Sequence, residues 1–88
     1  MIMEPKGVKG FLAIVENGNF EKAAKKLGIT TSALSIRVST LERIIGGKLL
    51  IRKRPFVLTE TGNIFYRHAV QLRDLENSLR EKIEKIAC

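Results

Sequence analysis

Apolar residues recur at intervals of three and four through the first half of the chain, and the rhythm breaks at glycines. Val8, Phe11, Leu12 and Val15 share one helical face, which predicts a first helix from about Pro5 to Glu16. Pro5 suits its opening turn, where no amide partner is lost, and Asn17-Gly18 punctuates its end. Asn19 is placed to cap a second helix with Phe20, Ala23, Ala24 and Leu27 on one side. Gly28 supplies the left-handed residue that ends it, and Ile29 plugs the corner. Thr30 or Thr31 caps a third helix with Leu34, Val38, Leu41 and Ile45 on its inner face, stopped by Gly46-Gly47.

Beyond those glycines the period changes. The run LLIRKRPFVL reads as two short strands around a tight turn at about Lys53 to Pro55. Pro55 confines that turn to an exposed edge. Thr59 caps a last helix from about Glu60 to Ile86, roughly 40 Å long at 1.5 Å per residue. Helix, helix, helix, hairpin, long helix is the order of a winged helix-turn-helix, a mainly α fold with a two-stranded β-wing. The expected division is a winged helix-turn-helix over residues 1–59 and a linking, dimerising helix over 60–88.

The join between the second and third helices is made of small residues: Ala23, Ala24, Gly28, Thr30, Thr31, Ser32 and Ala33. They let two backbones cross closely and leave the tip of the third helix uncluttered. Opposite its inner face lie Ser32, Ile36, Ser39 and Arg43, flanked by Thr31 and Ser35. A solvated face would carry Glu and Lys; this one has no acid until Glu42. Small hydroxyls at a helix N-terminus approach base edges and phosphates closely, and the free amides there favour an anion. Ile36 can meet a thymine methyl. In the hairpin, Arg52, Lys53 and Arg54 form a cationic tip able to reach phosphates or the minor groove. Lys22, Lys25 and Lys26 on the second helix are candidates for phosphate contact, although surface lysines are common.

Charge sharpens this picture. The 88-residue chain has net charge +7. Before Asn63 there are 11 Lys/Arg against 5 Asp/Glu, and from Asn63 onward 5 against 4. The basic surplus therefore sits on the compact front part, which points to a polyanion. No apolar run reaches membrane-spanning length. Glu4, Pro5 and Lys6 interrupt any leader-like start. One cysteine, Cys88, excludes an internal disulfide and fits a reducing cytoplasm. The lone His68 has no second ligand to make a metal site, so no cofactor, metal or small-molecule site is expected. Neither a carboxylate pair nor a Ser/His/Asp set suggests an enzyme.

The tail helix carries a stripe of Phe65, Leu72, Leu75, Leu79, Ile83 and Ile86, flanked by charges. Its first turns can pack on the three-helix unit; the remainder needs a cover, and a second copy of the helix is the natural one. A homodimer would present two third helices about 34 Å, or multiples of that, apart on a two-fold symmetric double-stranded DNA site. Two other classes are compatible with the composition. One is a protein-interaction module using the long helix, which would gain acids or bulky groups on the third helix. The other is a non-specific nucleoid or RNA binder, which would bind all sequences alike.

The run GNFEKAAKKLGITTSALSIRVSTLERIIGGKLLIRK, followed by FVLTETG, closely resembles the N-terminal DNA-binding domain of LysR-type transcriptional regulators. The A-A-x-x-L of the second helix, S-A-L-S, L-E, the Leu-rich strand with arginine and L-T-E-x-G all stand at matching spacing, over about residues 8–86. A slightly short wing, Phe20-Glu21, Arg37 and Pro55 resemble the branch controlling lysine and arginine export. The resemblance implies a third helix in the major groove (Thr30, Thr31, Ser32, Ser35, Ile36, Arg37, Ser39 and Arg43), a wing at the minor groove (Arg52, Lys53 and Arg54) and paired tail helices. Family members continue into an effector-sensing α/β domain that these residues do not include. Thr31 replaces a common glutamine and Ile36 a common arginine, so no operator sequence carries over from the family.

Overall fold

The computed structural model describes residues 5–87. Cys88 and the first four residues lie outside it. Helix α1 (Pro5–Asn17), α2 (Phe20–Leu27) and α3 (Thr31–Ile45) are followed by β1 (Leu50–Ile51), β2 (Val57–Leu58) and α4 (Glu60–Ala87). The strands pair antiparallel, Leu50 with Leu58 and Ile51 with Val57. This is the winged helix-turn-helix order with a long last helix. The strands have two residues each, so the loop between them runs from 52 to 56 and is wider than the expected turn.

Local chemistry sets each boundary. Asn19 accepts the Lys22 amide at 2.7 Å and starts α2. Gly28 adopts φ +70°, and the Ile29 amide reaches back to the Ala24 carbonyl at 3.0 Å, closing α2 in a left-handed cap that glycine alone takes without strain. Thr30, rather than Thr31, caps α3 by accepting the Ala33 amide at 3.0 Å. Thr59 caps α4: its hydroxyl accepts the Gly62 amide at 2.9 Å and donates to the Lys48 carbonyl at 2.5 Å.

The core joins all four helices. Phe11, Ile14, Leu34, Val38, Leu41 and Leu49 are fully enclosed, with Ala23 and Ala24 lining the α2 contact. A small residue also sets the α1–α3 crossing, which the sequence pattern does not single out: a Cβ on Gly10 of α1 would lie 2.8 Å from Leu34 Cδ1 of α3. Helix α4 docks through Phe65, whose ring meets Phe11 edge-on at 5.6 Å, and through Ala69, with Tyr66 and Val70 at the margin. Burial continues past Thr59 into the third turn of α4. Phe65, placed by its spacing on the pairing stripe, is 8 % exposed and belongs to this core. Ile45 is only partly covered, and neighbouring Ile44 is exposed.

Where α4 leaves the core, Arg73 grips Glu16 at the end of α1 with two hydrogen bonds of 2.9 and 2.8 Å. These hydrogen bonds, outweighing partial burial, hold the Glu16 carboxyl below its ordinary value of 4.5 and raise the Arg73 guanidinium. The folded state therefore prefers ionised Glu16 more than the unfolded chain does. The stabilisation is complete above pH 4.5 and disappears as pH falls through the lowered native value. Both side chains are more than a third exposed, so screening limits the pair to about 0.5 kcal/mol. Glu16→Gln should lower Tm by roughly 2–4 °C at neutral pH. That deficit should shrink progressively in melts recorded below pH 4.5; a deficit independent of pH would show that the ion pair is not its source.

Candidate nucleic-acid interface

The outward side of α3 and the wing enclose an open cleft of about 770 Å³. Thr31, Ser32, Ser35 and Ile36 form its α3 wall, the loop from Arg52 to Phe56 its wing wall, and Gly18 to Glu21 its end. Ile36 is 66 % exposed in the middle of the α3 wall. Thr31 and Ser32 of this wall belong to the first turn of α3, the end of the helix that carries partial positive charge, beside the wing cations. Thr30 is exposed at the cap, with its oxygen committed to the Ala33 amide. Arg37, Ser39 and Arg43 do not line the cleft; Arg43 is exposed farther along α3, and Arg37 and Ser39 are half-buried.

The three wing cations divide into two kinds. Lys53 and Arg54 are exposed at the tip, and Arg54 makes only a surface ion pair to Glu21, 3.3 Å away, with 93 % of its own side chain open to solvent. Such a pair contributes little, so Arg54 can exchange it for a phosphate. Arg52 turns back instead. Its guanidinium donates to the Ser35 hydroxyl and carbonyl, to the Ser39 hydroxyl at 3.0 Å and to Glu42 at 3.5 Å. It also lies 5.3 Å from the centre of the Phe20 ring, a cation–π distance. The sequence places Arg52 at the cationic tip; in the structure it follows β1 directly and lies along α3 instead.

Glu42 is the residue that sequence pattern underrated. It is 4 % exposed, and its Oε2 accepts the amides of Leu49 at 2.7 Å and Leu50 at 3.3 Å. Those amides begin the wing strand, so a carboxylate on α3 fixes where the wing leaves the core. Oε1 remains for Arg52. A buried carboxylate is tolerated only with such partners. Its signal in the sequence was present but indirect: one acid beside core Leu41, in a helix that otherwise has none.

Comparison with known proteins decides the family. The model of the bacterial regulatory helix-turn-helix proteins of the lysR family matches residues 6–63, from α1 through the wing into α4. The chain belongs to the lysR family. It is 34 % identical over 86 residues to the HTH-type transcriptional regulator ArgP of Pseudomonas aeruginosa, covering 98 % of this chain and 29 % of ArgP. With the regulator BudR of Raoultella terrigena it shares 42 % identity over 86 residues, 97 % of this chain and 30 % of BudR. It thus spans under a third of these relatives. Among solved structures, the DNA-binding domain of BenM in complex with catB site 1 DNA superposes with a TM-score of 0.91 at 36 % identity, covering 97 % of this lysR-family chain and 96 % of that one. No helix among the described residues is long and apolar enough to cross a membrane.

Proposed function

We propose that this lysR-family chain is the DNA-binding module of a transcriptional regulator and reads a two-fold symmetric double-stranded operator as a homodimer. The carrying observation is the cleft: the tip of α3, with Thr31, Ser32, Ser35 and Ile36, opens uncovered beside the exposed wing cations Lys53 and Arg54. A helix of this width fits the major groove, with hydroxyls and Ile36 at base edges. Lys53 and Arg54 then reach the flanking backbone or minor groove, and Lys22, Lys25, Lys26 and Arg43 are available to phosphates. The likeness to a DNA-bound BenM domain supports this docking. Leu72, Leu75, Leu79, Ile83 and Ile86, all exposed on α4, supply the contact between two copies. The role is binding within a cytoplasmic regulator, not catalysis.

Selection of bound fragments from a random double-stranded DNA pool tests the reading. The expected product is a motif with two-fold symmetry and half-sites centred about 34 Å, or a multiple of that, apart. A pool that gains no motif while remaining bound at low salt would leave only non-specific attraction. Ser35→Glu should weaken binding to the selected motif by about 100-fold or more, since a carboxylate meets acceptor edges and phosphates where a hydroxyl stood. Arg52 beside it can pair with the new charge, so the thermal melt should be nearly unchanged. Normal affinity in this variant would move the docking face away from α3.

A further inference from the structure

Arg52 is pinned too firmly to serve as a loose cation of the wing, and one of the groups it holds, Ser35, lines the reading cleft. We propose that Arg52 is a positioning residue for base recognition. By occupying an acceptor lone pair of Ser35, it turns that hydroxyl outward as a hydrogen-bond donor. The DNA feature Ser35 addresses is then an acceptor edge, such as a purine N7, guanine O6 or thymine O4. This rests on the DNA-reading role proposed above and adds the polarity of one contact.

The argument begins with what each group has to give. A guanidinium carries five N–H donors and no acceptor; a serine hydroxyl has one proton and two lone pairs. Arg52 Nη1 donates to Ser35 Oγ, and Nη2 donates to the Ser35 carbonyl at 3.3 Å and to Ser39 Oγ at 3.0 Å. Among the described residues no acceptor takes the Ser35 hydroxyl proton. A helical serine can place that proton on the carbonyl one turn back or point it outward; Ser35 lines the cleft, and a hydroxyl that already accepts from a guanidinium is polarised into a stronger donor.

Arg52 is also held against leaving. Its Nη2 faces Glu42 Oε1 at 3.5 Å, and Glu42 is 4 % exposed. Withdrawing the guanidinium to a phosphate would leave a buried carboxylate oxygen without its cation. The Phe20 ring covers the guanidinium from α2. A lysine cannot replace it, because a compact ammonium lacks the planar fork needed to span two hydroxyls, a carbonyl and a carboxylate at once.

The test repeats the random-pool selection with wild type, Arg52→Lys, Ser35→Ala and the double variant Arg52→Lys/Ser35→Ala, with melts recorded for each. Ser35→Ala marks the base pair that Ser35 reads, and wild type should prefer an acceptor edge there. Arg52→Lys should lose about tenfold discrimination at that same base pair. It should keep the wild-type dependence of affinity on salt, and adding Ser35→Ala should change nothing further. Should Arg52→Lys melt early, Arg52→Ala combined with Glu42→Gln removes the uncompensated charge and serves in its place. Arg52→Ala/Glu42→Gln that flattens the salt slope by about one and weakens all sequences alike would make Arg52 a phosphate contact and overturn the proposal. Undiminished discrimination, or a preference for an amino-bearing edge at the Ser35 base pair, would overturn it equally. A wild-type pool without any motif defeats the DNA-reading role itself, before any variant is compared, and the proposal with it.

Discussion

Gly62→Ala is expected to lower Tm by about 15 °C or more, or to prevent folding, although it adds a single methyl group to a helix. A Cβ at Gly62 would stand 2.0 Å from the carbonyl oxygen of Leu49 and 3.0 Å from its carbonyl carbon. No rotamer change relieves a clash with backbone. The Leu49 segment cannot retreat either. Its amide is bound to Glu42 at 2.7 Å, its carbonyl accepts the Thr59 amide at 3.1 Å, and its side chain is fully buried. Overpacking of ordinary side chains costs about 1–3 kcal/mol; displacing this segment adds broken hydrogen bonds of a buried carboxylate, so about 3–5 kcal/mol is expected. A domain of this size holds roughly 4–13 kcal/mol in all. Gly47→Ala is the control: its Cβ would meet only the Thr61 side chain at 3.8 Å, and the melt should stay within about 3 °C of wild type. A Gly62→Ala protein melting as Gly47→Ala does would mean that the α4–β1 contact is looser than the backbone separation says.

Gly62 also shows which parts of the fold can be read from the chain and which cannot. Helices α1 to α3 were legible because their signals are local. Apolar spacing marks the faces, and Asn19, Thr30, Gly28 and Gly46 mark the ends within four residues of the bonds they make. The wing followed from a change of period and a proline. A glycine inside a helix, in contrast, reads as a small local defect, because the carbonyl that requires it lies 13 positions earlier in the chain. Glu42 and Arg52 were misjudged for the same reason. Three cations in a row do not say which of them faces the helix beside the hairpin, and here Arg52 meets Ser39 and Glu42 of α3 while Arg54 stays in solvent. A carboxylate on a helix reads as solvated until the strand amides that occupy it are placed. Helical spacing puts Thr31, Ser32, Ser35 and Ile36 on one face together with Ser39 and Arg43, and does not say that the cleft ends before the last two. Arg52 reads from the sequence as a tip cation, because its partners Ser35, Ser39 and Glu42 lie 10 to 17 positions earlier in the chain. Phe65 shares the angular position of the tail stripe, so spacing could not separate it from Leu72; the aromatic packing on Phe11 does.

Leu79→Asp is expected to give a monomer and to reduce affinity for a two-half-site operator by roughly 100- to 10,000-fold, with the globular part still folded. Past Val70, no apolar residue of α4 joins the core, although Arg73 still reaches Glu16 of α1, and the 17 residues from 71 to 87 extend roughly 25 Å. Along them Leu72, Leu75, Leu79, Ile83 and Ile86 are between 41 and 86 % exposed, and at 100° per residue they fall within roughly 80° of one another. An apolar strip this narrow and regular suits the helix-pairing seam proposed above; left in water, each leucine or isoleucine forgoes about 1.5–3 kcal/mol of burial. Leu79 lies at its middle, where a carboxylate would be desolvated in both copies at once. The core, in contrast, contacts α4 only through Gly62, Phe65, Tyr66, Ala69 and Val70, all at least nine residues away, so most helical signal in circular dichroism should persist. Two linked domains bind a double site with the second contact made at high effective concentration, and a monomer loses that gain without losing any contact to one half-site. Sedimentation should therefore show half the wild-type mass, and binding to a duplex with a single half-site should be unchanged. If Leu79→Asp sediments with wild type, the seam on α4 is not what joins two copies. If it is monomeric yet binds the double site as tightly as wild type, one copy suffices for recognition and the operator's symmetry has another origin.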